Sequence, residues 1–165
     1  MSKIITLIGS RKTPQDILEI MRQFVEYGNK KGYIFRSGGA DGADHIVTLY
    51  ALNSEIYIPW YRFNGVDNGI IVVMTKTHYD IVNKIHPAPE RLSQGAYKLH
   101  GRNLNQVIGR NIEEPLFSDL VVCWTPNAAE TGGTRTALKI AQMYNIPIIN
   151  LGNEKGIKKL NELMR

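Results

Sequence analysis

The stretch Ile4-Ile5-Thr6-Leu7-Ile8-Gly9-Ser10-Arg11 decides the fold. Its first five residues are nearly all apolar and mostly β-branched, which is typical of a strand buried on both faces of a parallel sheet. Gly9 ends the strand, and apolar residues recur at helical spacing over residues 14–31, with Thr13 as the predicted N-cap and Gly32 as the predicted end. The segment therefore predicts a β-α unit whose two elements are joined by a glycine-containing loop.

The same alternation continues along the chain. A strand is predicted at 33–35, a helix up to about residue 53 and a strand at 56–58. The middle, residues 59–111, is hardest to assign and yields a possible strand over 70–74 and a helix over 95–109. Strands at 120–124 and 146–150, a helix over 133–144 and a last helix from about residue 155 follow. This pattern predicts a three-layer α/β Rossmann-like fold, with a mostly parallel sheet of about five or more strands and helices on both faces.

Composition sets limits on the class of protein. With 165 residues, 43% of them hydrophobic, the chain suits one domain over residues 1–165. We expect a cytoplasmic protein without a membrane partner, because no apolar stretch approaches the roughly 20 residues of a membrane span and no leader precedes the first strand. The net charge of +5 favours anionic partners. Cys123, the single cysteine, lies in an apolar strand and is expected to be a buried structural thiol.

Three predicted strand ends carry small and polar residues, at 9–11, 37–44 and 131–134. Glycine lets backbone N–H groups face a ligand, and each following helix N-terminus adds about half a positive charge. Such loops can hold phosphates, although each glycine could also simply make a tight turn. The predicted ligand-binding residues are Gly9, Ser10, Arg11, Ser37, Gly38, Gly39, Asp41, Asp44, Arg102, Thr131, Gly132, Gly133 and Thr134.

Individual roles differ within this set. Asp44 is expected mainly to cap backbone N–H groups at a helix start, whereas Asp41 is more open to a ribose or base. Arg102, on the helix of residues 95–109, could reach a phosphate from a neighbouring wall or from a partner subunit. Glu130 is the candidate catalytic acid, since it precedes two glycines and could face a bound sugar. A solvated loop glutamate is the alternative.

Several common chemistries lack their motifs in this sequence. Neither G-x-G-x-x-G after the first strand nor the P-loop G-x-x-x-x-G-K-[ST] is present, which removes the main support for dinucleotide oxidoreduction and ATP hydrolysis. The four histidines show no H-E-x-x-H or comparable spacing, and no third carboxylate lies near Asp41 and Asp44. We therefore expect no metal and no cofactor.

The three loops resemble those of the SLOG superfamily of Rossmann-like domains, nearest its DNA-processing protein A (DprA) branch. Residues 37–44 match the S-G-x-A-x-G-x-D pattern of that branch, and Thr136-Ala137 match the T-A that ends its later small-residue loop. The resemblance covers most of the chain except roughly residues 60–95. It implies a nucleotide-related ligand, because SLOG members variously bind single-stranded DNA, hydrolyse nucleotide N-glycosidic bonds or sense nucleotide-derived signals. It also implies a homo-oligomer.

The phosphoribohydrolase branch of the superfamily carries P-G-G-x-G-T-x-x-E. This sequence has Arg135 in place of the third glycine and Lys139 in place of the catalytic glutamate. The leading prediction is therefore a protein that binds a nucleotide or nucleotide-derived ligand by its phosphates. A single-stranded DNA-binding recombination mediator of DprA type is the alternative. A nucleotide N-glycosidase or phosphoribohydrolase, with Glu130 as the acid, is the second alternative, so enzymatic activity stays open.

Overall fold

Six parallel strands form one sheet in the order β4-β3-β2-β1-β5-β6. The structure is a computed structural model that describes residues 2–165. The strands are β1 (Ile4–Gly9), β2 (Ile34–Ser37), β3 (Ser54–Ile58), β4 (Ile70–Ile71), β5 (Leu120–Trp124) and β6 (Ile148–Asn150). The helices are α1 (Gln15–Lys31), α2 (Ala43–Tyr50), α3 (Lys76–Ile85), α4 (Gln94–Ile108), α5 (Arg135–Met143) and α6 (Glu154–Leu163). The predicted α/β class and parallel sheet are confirmed.

Two apolar clusters cover the two faces of the sheet, because successive strand residues point to opposite sides. Ile5 and Leu7 of β1 pack in one cluster with residues of α1, α2 and α6. Ile8 and Cys123 pack in the other with residues of α3, α4 and α5. Burial raises the pKa of the Cys123 thiol to about 12, in accordance with the predicted structural role. Helices therefore lie on both faces, as predicted.

The middle of the chain departs most from the sequence prediction. Of the possible strand over residues 70–74, only Ile70–Ile71 pairs with β3. Helix α3 was not predicted. It begins with a capping box in which Oγ1 of Thr75 accepts from the backbone N–H of His78 and the His78 ring accepts from the N–H of Thr75. Glutamate or glutamine is the usual partner in that motif, so the sequence signal was absent.

Helix boundaries also shift by a few residues. Pro14, not Thr13, is the N-cap of α1, because the Thr13 hydroxyl donates to the carbonyl oxygen of Ser10 at 2.5 Å instead of capping the helix. Gly32 ends α1 with a φ of 75°, as predicted. The hydroxyl bond of Thr13 fixes the turn after β1, which is the turn that borders the candidate site.

Within residues 2–165, no helix is both long and apolar enough to cross a lipid bilayer. The same residues contain no group of three or more histidine, cysteine, aspartate or glutamate side chains placed to hold a metal ion.

Candidate functional site

A cavity of about 530 Å³ opens where the carboxyl ends of β1 and β5 meet. From β1 the chain builds the sheet outward to β4, then crosses back to place β5 and β6 on the other side, so β1 and β5 flank the point where strand order reverses. Open α/β sheets bind ligands at this point, and the volume lies in the range of small-molecule sites. The lining residues are Ile8, Gly9, Ser10, Arg11, Lys12, Ala40, Asp44, Ala96, Leu99, His100, Arg102, Asn103, Gln106, Thr125, Pro126, Thr131, Gly132, Gly133 and Thr134.

The loop after β1 forms one wall of the cavity. Gly9 is required there, because a Cβ atom would lie 2.9 Å from Cβ of Ala43 and 3.1 Å from the carbonyl oxygen of Trp124. The Ser10 hydroxyl accepts from the N–H of Lys12 at 3.0 Å, which leaves its own proton available to donate. Arg11 is exposed and lines the cavity, so its guanidinium can reach an anion in it.

The loop of residues 37–44 contributes less to the cavity than the sequence predicts. Ser37 is fully buried, and its hydroxyl donates to the carbonyl oxygen of Leu7 at 2.6 Å. Gly38 and Gly39 are also buried and do not line the cavity. Asp41 is exposed and accepts from Nδ2 of Asn64 at 2.9 Å. Of the binding residues predicted in this loop, the structure brings only Asp44 to the cavity.

Asp44 and Arg102 are the buried charged groups of the wall. Only 5% of Asp44 and 7% of Arg102 is exposed. Nη1 of Arg102 donates to the carbonyl oxygen of Gly38, and Oδ2 of Asp44 accepts from the N–H of Ala40 at 3.3 Å. Burial raises the pKa of Asp44, against the opposing effects of the Arg102 charge and the backbone N–H groups. Oδ1 of Asp44 is buried and has no hydrogen-bond partner among residues 2–165.

Arg102 therefore lies in the wall of its own chain's cavity and is tied to the backbone of the 37–44 loop. Its guanidinium also lies over the ring of Phe63, with Cζ 5.3 Å from the ring centroid. Burial lowers the pKa of Arg102, which the charge of Asp44 partly offsets. These contacts hold a positive charge at a fixed place beside the cavity.

The loop before α5 forms another wall of the cavity. Thr131, Gly132 and Gly133 are exposed, while Thr134 is buried at the start of α5. Gly132 has a φ of 67°, which favours glycine, and a Cβ atom there would meet nothing within 4 Å. All four residues line the cavity, so the predicted loops at 9–11 and 131–134 lie on one site.

Glu130, the candidate acid, lies outside this cavity. Its Oε2 is 2.6 Å from Nζ of Lys139, and its Oε1 accepts from Nε2 of Gln142. Both partners belong to α5 and lower the pKa of Glu130. The carboxylate is therefore engaged with α5 and is not among the groups that line the cavity.

Sequence analysis missed several cavity residues, mainly on α4 and β5. His100, Asn103 and Gln106 line the cavity from α4, and Thr125 lines it from the end of β5. The sequence does carry a signal, because four of the five residues from Arg102 to Gln106 are polar, and all four are buried in α4. Buried polar side chains need partners, so such a run points to a polar site.

No family model matches the chain, and no curated protein matches it. Solved structures do match. The DNA processing protein A from Helicobacter pylori superposes with a TM-score of 0.59 at 20% identity, over 98% of this chain and 72% of the other. The Moco carrier protein from Chlamydomonas reinhardtii superposes with a TM-score of 0.56 at 16% identity, over 99% of this chain and 85% of the other. DprA from Streptococcus pneumoniae superposes with a TM-score of 0.54 at 14% identity, over 99% of this chain and 56% of the other.

These similarities define the class of the fold. The chain has the Rossmann-like α/β fold that DprA and the Moco carrier protein share. The resemblance to the DprA branch, drawn from the three loops, is thereby confirmed for the fold.

Proposed function

We propose that this protein binds a nucleotide or a nucleotide-derived ligand by its phosphates. The observation that carries the proposal is the convergence of the loops at 9–11 and 131–134 on one cavity of about 530 Å³ at the sheet's reversal point. The loop at 131–134 leads directly into α5, whose N-cap Thr134 lines the cavity, and helix N-termini favour anions. Arg11 adds a charged donor at the cavity, and Arg102 adds a second positive charge in its wall.

The polar groups of the cavity suit the two halves of a nucleotide. Ser10, Thr131 and Thr134 carry hydroxyls that can donate to phosphate oxygens. Oδ1 of Asp44, buried and without a partner among the described residues, is an acceptor suited to a hydroxyl or amine donor of the ligand. Leu99 and Ala96 add apolar surface from α4 against which a sugar or base can pack.

The proposal is tested by ligand titration with a matched pair of variants. Nucleoside mono- and diphosphates are screened by thermal stability, since a ligand of the native state raises Tm. Arg11→Ala should weaken the best ligand by about 1.5–3 kcal/mol, which is roughly 10- to 150-fold in Kd. Arg91→Ala, an exposed arginine outside the cavity, should leave Kd unchanged. If no nucleotide raises Tm, the proposal is wrong.

Single-stranded DNA is the second candidate ligand. The H. pylori protein is described as binding single-stranded DNA, and the exposed cations Arg11 and Lys12 stand beside the cavity of a chain with net charge +5. A short oligonucleotide would neutralise several cations at once, so its affinity should fall steeply with added salt. A pocket-bound mononucleotide should lose far less. Titrations at about 50 and about 200 mM salt therefore separate the two ligands.

Nucleotide N-glycosidic hydrolysis is the third candidate and has the least support. It depends on Glu130 as the acid, and that side chain pairs with Lys139 and Gln142 outside the cavity. The geometry favours binding over catalysis by this residue.

A further inference from the structure

A second cavity, of about 210 Å³, borders the first. His100 and Gly132 line both cavities, so the two share a wall. The second cavity is further lined by three basic side chains, those of His86, Arg135 and Lys139. No acidic residue is among the described residues that line it. Its volume is several times the roughly 30 Å³ that one water molecule occupies in the liquid, so a phosphate group fits.

We infer that this second cavity receives a second phosphate group of the same ligand. The preferred ligand is then a nucleotide with two phosphates, either joined as a diphosphate or separated by a sugar as in a dinucleotide. The inference rests on the proposed function, because the first phosphate occupies the larger cavity.

Arg135 carries the clearest sign that an anion is accommodated. Its Nε is buried and has no hydrogen-bond partner within residues 2–165. Buried donors are nearly always satisfied, and a phosphate oxygen is a preferred partner of a guanidinium N–H. The side chain begins α5, directly after the loop that borders the larger cavity. Arg135 lines the second cavity, so its guanidinium is the group that a phosphate held there would meet.

His86 provides a further donor, whereas Nδ1 of His100 is engaged with Oγ1 of Thr136 at 2.6 Å. Nδ1 of His86 accepts from the N–H of Ala88 at 3.1 Å, so the proton of the neutral ring is on Nε2, which can donate. The His86 ring packs edge-on against the His100 ring, with centroids 4.9 Å apart. Burial lowers the pKa of His100, and the charges of His86 and Arg102 lower it further. A bound anion would oppose this lowering, because it stabilises the protonated His100 ring.

The positive charge of Lys139 is paired with the carboxylate of Glu130. Its ammonium lies 2.6 Å from Oε2 of Glu130, and the two side chains are about one-third exposed, at 34% and 37%. Glu130 does not line the cavity, so its removal frees a positive charge without removing a group from the site. The variant Glu130→Gln should therefore strengthen binding of the second phosphate, an effect that misfolding cannot produce.

The test compares ligands that differ by one phosphate. Calorimetric titrations use the mono- and diphosphates of adenosine, guanosine, cytidine and uridine, and a 5′-phosphorylated dinucleotide of the same base. Wild type should bind a two-phosphate ligand about tenfold or more tighter than the monophosphate, as a charged hydrogen bond predicts. Arg135→Gln should abolish that advantage and leave the monophosphate within about twofold. Glu130→Gln should enlarge the difference in affinity between the two-phosphate ligand and the monophosphate. Lys84→Met, an exposed lysine on α3, is the control.

A second readout reports on the cavity directly. Inorganic phosphate, added to wild type, should shift the ring NMR signals of His86 and His100 but not those of His45, which is exposed on α2. The shifts should be lost in Arg135→Gln. If the monophosphate binds but a second phosphate adds nothing and the His86 ring does not respond, the inference is wrong and the proposed function stands. If no monophosphate binds either, the proposed function fails and the inference fails with it.

Discussion

Nδ2 of Asn103 donates a 2.8 Å hydrogen bond to the carbonyl oxygen of Gly133, and this bond ties α4 to the loop before α5. Both residues line the larger cavity. The loop itself is exposed over Thr131–Gly133, and a Cβ atom at Gly132 or Gly133 would meet no neighbour within 4 Å. Backbone hydrogen bonds from Thr131 to Ala129 and from Arg135 to Gly132 shape the loop locally. The Asn103 side chain holds the loop backbone, which we expect to face a phosphate, against α4.

Replacement of Asn103 by leucine should loosen this loop. The substitution removes the hydrogen bond at similar volume, at a cost of about 1 kcal/mol in stability. Amide hydrogen exchange of residues 131–134 should accelerate, while the strands keep their protection. Asn161→Leu, at an exposed position on α6, should change neither the stability nor the amide exchange of residues 131–134. Unaltered exchange in Asn103→Leu would mean that other contacts hold the loop.

The buried histidine of α3 should make stability depend on pH. Nε2 of His78 lies 2.8 Å from Oδ1 of Asn105, and Nδ1 accepts from the N–H of Thr75, so the ring is neutral with its proton on Nε2. Burial lowers the pKa of His78 below its usual 6.5, against the opposing effects of Asn105 and Glu113. The unfolded chain then binds more protons than the folded one as pH falls below about 6.5, so stability is complete above that pH and declines beneath it.

Urea unfolding at a series of pH values tests this prediction. Wild type should lose stability as the pH falls below about 6.5, and His78→Gln should show a flatter profile there. The free energy of unfolding of this variant should also be lower by about 1–3 kcal/mol near pH 7, because the substitution disturbs a buried hydrogen-bond pair. His45→Gln, which removes an exposed histidine of α2, should retain the wild-type slope. Equal slopes in all three proteins would contradict the assignment to His78.

A close approach of two loops should make Gly42 sensitive to substitution. Gly42 has a φ of 78°, and a Cβ atom there would lie 2.7 Å from the carbonyl oxygen of Ser10 and 3.0 Å from Cα of Arg11. Gly65 has a φ of 74°, but a Cβ atom there meets nothing within 4 Å. Gly65→Ala should therefore cost about 1 kcal/mol from backbone strain alone, and Gly42→Ala clearly more. Chemical denaturation measures the loss of stability in each variant. Similar losses would show that the loop after β1 shifts easily to accommodate a Cβ atom at position 42.

The fold and two walls of the site followed from local sequence. The alternation of Ile5 and Leu7 with Ile8 in β1 places apolar residues on both faces, and this is visible in the sequence without the structure. The glycine loops at 9–11 and 131–134 follow strands, and parallel strands bring their carboxyl ends to one edge. Once the order of the strands in the sheet is known, the convergence of these two loops on one cavity follows.

The remaining features depend on side-chain contacts that strand and helix periodicity do not predict. Ser37 ends β2, where its hydroxyl satisfies the carbonyl oxygen of Leu7 on the neighbouring strand rather than a ligand. Glu130 is turned away from the cavity by Lys139, which lies one turn into α5. Asn103 and Gln106 face the cavity because of how α4 packs across the sheet, and helical periodicity alone does not say which buried side meets a ligand.

Glu130 provides the sharpest distinction between binding and catalysis. A residue that acts as a general acid must reach the leaving group, and this carboxylate is engaged by Lys139 and Gln142 outside the cavity. We therefore expect Glu130→Gln to release no less free base than wild type when each is incubated with a nucleoside monophosphate, as followed by chromatography. The variant should lose at most about 1 kcal/mol of stability, because its ion pair is exposed to solvent. Base release by wild type that disappears in Glu130→Gln would instead establish this residue as the acid, and would require the loop before α5 to turn its carboxylate into the cavity when a nucleotide binds.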